Sequence, residues 1–142
     1  MRRTIKMMVA VAMIMALTAT ASFAATRYGT PYGDTLYGTS SADYILGYGG
    51  GDALYGYGAN DRLAGGSGDD LLRGGGGPDT LIGGKGSDRI EGGYGGDTIN
   101  AASDGTVVDY VDCGPGVDEV ILLADAPQVD ILVGCEAITN LR

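Results

Sequence analysis

Carboxylates at a fixed interval organise this sequence. Aspartate stands at positions 34, 43, 52, 61, 70, 79, 88 and 97, an unbroken spacing of nine. Two residues after each comes an aliphatic side chain: Leu36, Ile45, Leu54, Leu63, Leu72, Leu81, Ile90 and Ile99. Glycine marks the other side of each aspartate, densely from Gly65 onward and sparsely before Asp43. Such a series offers hard oxygen donors, the ligands that a large divalent cation takes. It offers little to acid–base or covalent catalysis. The chain has no His, no serine-centred nucleophile elbow and no zinc motif, so an enzyme is not expected. A formal net charge of −9 speaks against a nucleic-acid partner, which calls for clustered Lys and Arg. Aspartate is also common in ordinary solvated turns, but those do not require a constant nine-residue phase.

The period defines the fold class. With 27 Gly, one Phe and no Trp, the chain cannot assemble a large-side-chain core, and so much glycine rules against helix. High glycine with a strict period reads as a repeat architecture. The clearest copies are GGSGDDLLR, GGGGPDTLI, GGKGSDRIE and GGYGGDTIN, over Gly65 to Asn100; GTPYGDTLY, GTSSADYIL, GYGGGDALY and GYGANDRLA, over Gly29 to Ala64, are looser. This pattern resembles the RTX, or hemolysin-type, calcium-binding repeat, whose nonapeptide G-G-x-G-x-D-x-U-x is a known β-helix signature. The resemblance covers residues 29–100 and implies an all-β parallel β-roll that binds several Ca²⁺ ions.

Physical reasoning agrees with that fold. Around each aliphatic residue the pattern alternates, as in Thr80-Leu81-Ile82, which is strand periodicity. A three-residue strand and a six-residue turn make half a coil, so eighteen residues close one coil and 29–100 supplies about four, a stack about 19 Å long. Leu36, Leu54, Leu72 and Ile90 then form one column of the core; Ile45, Leu63, Leu81 and Ile99 form the other. Stacking also aligns Asp34, Asp52, Asp70 and Asp88 on one edge and Asp43, Asp61, Asp79 and Asp97 on the other. Neighbouring carboxylates one strand spacing apart repel by about 3.5 kcal/mol at an effective dielectric near 20. A divalent cation reverses that sign. Ca²⁺ suits the donors, because it accepts six to eight carboxylate and carbonyl oxygens in loose geometry, and thiolate or imidazole metals find no ligands. The RTX resemblance implies that each ion is shared by turns eighteen residues apart: 34/52, 52/70 and 70/88 on one edge, 43/61, 61/79 and 79/97 on the other. It also implies a cradle of turn glycines, clearest at Gly65, Gly66, Gly68, Gly74, Gly75, Gly77, Gly83, Gly84, Gly86, Gly92, Gly93 and Gly95. The turns before Asp43 (GTSSA) and Asp61 (GYGAN) depart from the pattern, which weakens sites 43/61 and 61/79. Asp69 is off phase and reads as a solvated neighbour.

The two ends differ from the repeats. Arg2, Arg3 and Lys6, the apolar run Met7 to Leu17 and the small residues of Ser22-Phe23-Ala24 read as a secretory signal over 1–24. The run is too short to span a bilayer, no second apolar segment in the remainder is suited to one, and a secreted, extracellular location is expected. Residues 25–28 are a short lead-in. Residues 101–142 leave the register, keep a decayed repeat at Asp109 and Asp118, and are expected to cap the roll. Cys113 and Cys135 are expected to pair in the oxidising compartment that export implies. Tyr37 and Tyr55, eighteen apart, read as a stacked cross-strand pair or as a ligand-binding aromatic strip. The leading expectation is thus a calcium-binding module that folds on binding Ca²⁺. The alternatives are a calcium-dependent adhesive protein with a glycan or protein partner, and an accessory module of an RTX toxin or enzyme.

Overall fold

The computed structural model describes residues 23–101, 107–123 and 130–141. Nearly all of the expected signal segment lies outside them. Each repeat contributes one strand, and successive strands alternate between two parallel sheets. One sheet stacks β1 (Thr26–Tyr28), β3 (Tyr44–Gly49), β5 (Arg62–Ser67), β7 (Thr80–Lys85), β9 (Thr98–Asn100), β11 (Glu119–Leu123) and β13 (Ala137–Leu141), in that order. The other stacks β2 (Thr35–Tyr37), β4 (Ala53–Gly58), β6 (Leu71–Gly76), β8 (Arg89–Tyr94), β10 (Tyr110–Asp112) and β12 (Ile131–Val133). The result is an all-β parallel solenoid of about six turns, with no helix among the described residues.

Register follows the repeat. Leu36 pairs with Leu54, Leu54 with Leu72 and Leu72 with Ile90; Ile45 pairs with Leu63, Leu63 with Leu81 and Leu81 with Ile99. From Ile45 to Ile99 these side chains are fully buried and form a single core cluster. A row of Leu and Ile one strand spacing apart is a thin core, at roughly 1.5–3 kcal/mol for each buried side chain.

The strands β3 to β8 are six residues long, not three. Pairing continues past the aliphatic residue into the next repeat, as Tyr57 with Gly75 and Gly58 with Gly76, and only three residues turn the corner. Glycine lacks a side chain to pack, but its backbone still serves the parallel ladder.

Both ends belong to the roll. The lead-in is a strand, with Arg27 paired to Ile45. At the other end, Val111 pairs with Ile90 and Val120 with Ile99, so the chain regains both core columns after a three-residue excess. β12 and β13 then add one more layer on each side. Cys113, fully buried beneath this layer, is bonded to Cys135 with their Cα atoms 5.3 Å apart. Closing that loop of 22 residues is worth roughly 3 kcal/mol in the chain-entropy account.

Candidate metal sites in the turns

The turn that ends at Asp79 shows how the sequence builds a site. Its first glycine, Gly74, is required by space: a Cβ there would lie 2.3 Å from Asp79 Oδ2 and 2.6 Å from the Gly92 carbonyl oxygen. Gly75 and Gly77 are required by conformation, at φ of +116° and +110°, where a side chain is strained. These two left-handed residues bend the chain so that the aspartate side chain folds back under the turn. The same frame carries Gly65, Gly66 and Gly68 before Asp70, Gly83, Gly84 and Gly86 before Asp88, and Gly92, Gly93 and Gly95 before Asp97.

The aspartates are interior groups. From Asp43 to Asp97 they are 1–4 % exposed, as are Asp109 and Asp118. One carboxylate oxygen of each accepts the backbone N–H of the aspartate one coil earlier. Asp52, Asp61, Asp70 and Asp79 accept from Asp34, Asp43, Asp52 and Asp61 at 2.7 Å, Asp88 from Asp70 at 2.9 Å, and Asp97 from Asp79 at 2.8 Å. Asp43, first in its column, accepts from Ala25. The ladder runs on beyond the strict repeats: Asp109 and Asp118 accept from Asp88 and Asp97 at 2.8 Å, Asp130 from Asp109 at 3.0 Å, and Glu136 from Asp118 at 3.1 Å. Asp130 and Glu136 are positions that the nine-residue phase does not reveal, because 21-residue layers precede them and the last one uses Glu.

The other oxygen decides the chemistry. In Asp52, Asp61, Asp70, Asp79, Asp97 and Asp118 the Oδ2 atom is buried without a hydrogen-bond partner among the described residues. A buried unpaired carboxylate oxygen carries a desolvation cost that folding must offset. The carboxyl groups respond as expected. Burial pushes Asp61 and Asp70 up to about 6 and Asp79 to about 7, against the lowering effect of the backbone N–H each accepts, and the neighbouring carboxylates on their columns add to the rise. Burial likewise raises Asp52 and Asp97. Among the described residues no three acidic, Cys or His side chains converge on one point. A cation seated here would therefore complete its shell with backbone carbonyls, such as Gly92 O beside Asp79 Oδ2.

Asp34 and Asp43 differ. Asp34 Oδ2 accepts the N–H of Thr30 at 2.6 Å and its hydroxyl at 2.8 Å; Asp43 Oδ2 likewise accepts the N–H and, at 3.1 Å, the hydroxyl of Thr39. Asp69 is exposed and accepts the Ser87 N–H, at 2.9 Å. Tyr37 and Tyr55 stack at 5.2 Å with Tyr57 against both, so the pair expected from their spacing forms and acquires a third ring.

The family model of the RTX calcium-binding nonapeptide repeat matches residues 28–63, 55–89 and 73–105, together more than half of the chain. This chain belongs to the RTX calcium-binding repeat family. It is a calcium-binding β-roll, and the fold and the buried carboxylate oxygens fit the ion: the donors are all hard oxygens, and the missing side chain of each turn's first glycine lets a carboxylate oxygen and a backbone carbonyl oxygen come close together. No curated protein and no solved structure matches it. In RTX terms the Asp118 turn, with Gly114 at φ +85°, is a further copy, though Cys113 replaces its first glycine.

Proposed function

We propose that the protein is an exported, non-catalytic RTX module in which calcium seats between the turns and completes folding. The observation that carries this reading is the set of buried, unpartnered Oδ2 atoms at Asp52, Asp61, Asp70, Asp79, Asp97 and Asp118. Asp88 occupies the same register and is assigned with them. The ion would be held by these carboxylates and by turn carbonyls, and it supplies positive charge where burial otherwise favours protonation. A metal that binds only the folded chain contributes its binding free energy to folding. The core is too thin, and ordering each residue too costly at roughly 1–2 kcal/mol, for the acidic chain to fold well alone. Extracellular calcium modules suggest an affinity of about 10⁻⁴–10⁻³ M. Export is supported by the n-region and apolar run at the start of the sequence, and the Cys113–Cys135 bond suits an oxidising compartment. The absence of His and of any nucleophile motif supports a binding role over catalysis. The adhesive alternative would use the tyrosine face, where Tyr37, Tyr55 and Tyr57 stack on one another and Tyr37 and Tyr57 stay exposed.

A calcium titration followed by far-ultraviolet circular dichroism, with magnesium as control, tests the proposal. A cooperative gain of β structure with calcium alone is expected. A spectrum already β-rich in chelator and unchanged by millimolar calcium would refute folding on binding.

A further inference from the structure

Position two of each turn divides the repeats into two kinds. It is Thr in the turns that begin at Gly29 and Gly38, Tyr in those that begin at Gly47 and Gly56, and Gly in the four that follow. Tyr48 and Tyr57 take the left-handed backbone of the glycines, at φ of 75° and 81°, and point their rings outward. Their aspartates, Asp52 and Asp61, keep an unpartnered Oδ2. Thr30 and Thr39 do not adopt that backbone. Each instead turns its own N–H and hydroxyl onto the aspartate four residues on.

The threonine hydroxyl sits at the centre of its turn. Thr30 Oγ1 lies 2.8 Å from Asp34 Oδ2, 3.3 Å from the Tyr32 carbonyl oxygen and 3.2 Å from the Tyr32 nitrogen. Thr39 Oγ1 repeats the arrangement at 3.1 Å from Asp43 Oδ2, 3.4 Å from Ser41 O and 3.1 Å from Ser41 N. A carboxylate oxygen and a backbone carbonyl oxygen are donors that a calcium ion would draw upon. In these two turns a neutral hydroxyl already engages both. We infer that Thr30 and Thr39 are built-in substitutes for the ion. They close the turns of Asp34 and Asp43 to calcium, and occupancy begins with the turns of Asp52 and Asp61. This rests on the calcium reading above and assigns which of its turns are filled.

The test counts ions. Calcium bound per folded full-length chain is measured by equilibrium dialysis for the wild type, for Thr30→Gly/Thr39→Gly and for Thr30→Ser/Thr39→Ser. The glycine pair is expected to gain one ion for each opened turn, and the serine pair, which keeps the hydroxyl, is expected to gain none. An unchanged count in a glycine pair that still shows the β spectrum would overturn the assignment, as would a gain in the serine pair. Should the glycine variant fail to fold, a calcium-soaked crystal of the unmutated protein decides by anomalous scattering. Ions at the glycine turns and none against Asp34 or Asp43 bear the inference out, whereas an ion on either residue refutes it. Absence of bound calcium everywhere would instead defeat the proposed function itself.

Discussion

The turns that end at Asp43 and Asp79 share one nine-residue frame and one edge of the roll, yet their carboxylates are satisfied in opposite ways. Asp43 is buried and complete: one oxygen holds the N–H of Ala25, the other the N–H and hydroxyl of Thr39. Asp79 is equally buried, holds the Asp61 N–H with one oxygen and leaves the other unpartnered. The two turns differ at their second to fifth residues, and it is the second, Thr39 against Gly75, that supplies the contacts to Asp43 Oδ2. The comparison teaches that burial of an aspartate is not by itself a metal signature in this fold. What sets Asp79 apart is a second oxygen that has no hydrogen-bond partner among the described residues.

The largest expected effect that sharpens this contrast comes from Asp79→Ala set against Asp69→Ala. The first removes the acceptor of a buried N–H, that of Asp61, and an oxygen assigned to calcium. It should cost about 1–3 kcal/mol even with calcium saturating, and raise the calcium midpoint of folding by at least about tenfold. Asp69 is a surface residue with one exposed hydrogen bond, so its substitution should stay within about 0.5 kcal/mol. Denaturant and calcium titrations of both variants measure this; equal effects would remove the ligand assignment.

Next in size is a pH effect confined to the metal-free chain. The folded-state pKa values of Asp61, Asp70 and Asp79, about 6 to 7, lie above the ordinary carboxylate value of 3.8. A raised carboxyl pKa means that the folded state holds its protons more tightly than the unfolded state. The stabilisation is complete below about pH 4 and is lost as the pH rises through 6 and 7. In chelator, the chain should therefore show more β structure near pH 4.5 than near pH 8. Calcium should abolish the difference and bind more tightly as the pH rises. Circular dichroism at both pH values is the measurement. Greater β content at pH 8 in chelator would contradict the electrostatic account of the glycine turns.

The smallest effect concerns backbone strain in the transitional repeats. Ala59 holds φ of 73°, where the later copies have glycine. Left-handed backbone costs a non-glycine residue roughly 1–2 kcal/mol, partly offset in the variant by the greater unfolded-state entropy of glycine. Ala59→Gly should stabilise the calcium-loaded protein by up to about 1 kcal/mol, read from denaturant midpoints. Destabilisation would show that Ala59 is relaxed and that these turns differ from the glycine ones in more than residue type.

Much of this was legible from one line of sequence. The nine-residue phase determined the fold class, the pairing of residues eighteen apart, both columns of the core and both columns of aspartate, because a solenoid converts sequence period directly into spatial neighbourhood. Cys113 and Cys135 could be paired by count alone. What the period could not carry, the tertiary structure decided. Val111 and Val120 rejoin the core only because three extra residues are absorbed between layers; Asp130 continues the ladder at a spacing of 21 that a nine-residue template passes over, and Glu136, at the regular 18, escapes an aspartate pattern because it is Glu. Which aspartates are left with an unpartnered oxygen also lay beyond the pattern. That depends on whether the residue four positions earlier turns its backbone N–H and hydroxyl inward or adopts a left-handed φ and faces out, a choice of backbone dihedral that residue spacing does not encode.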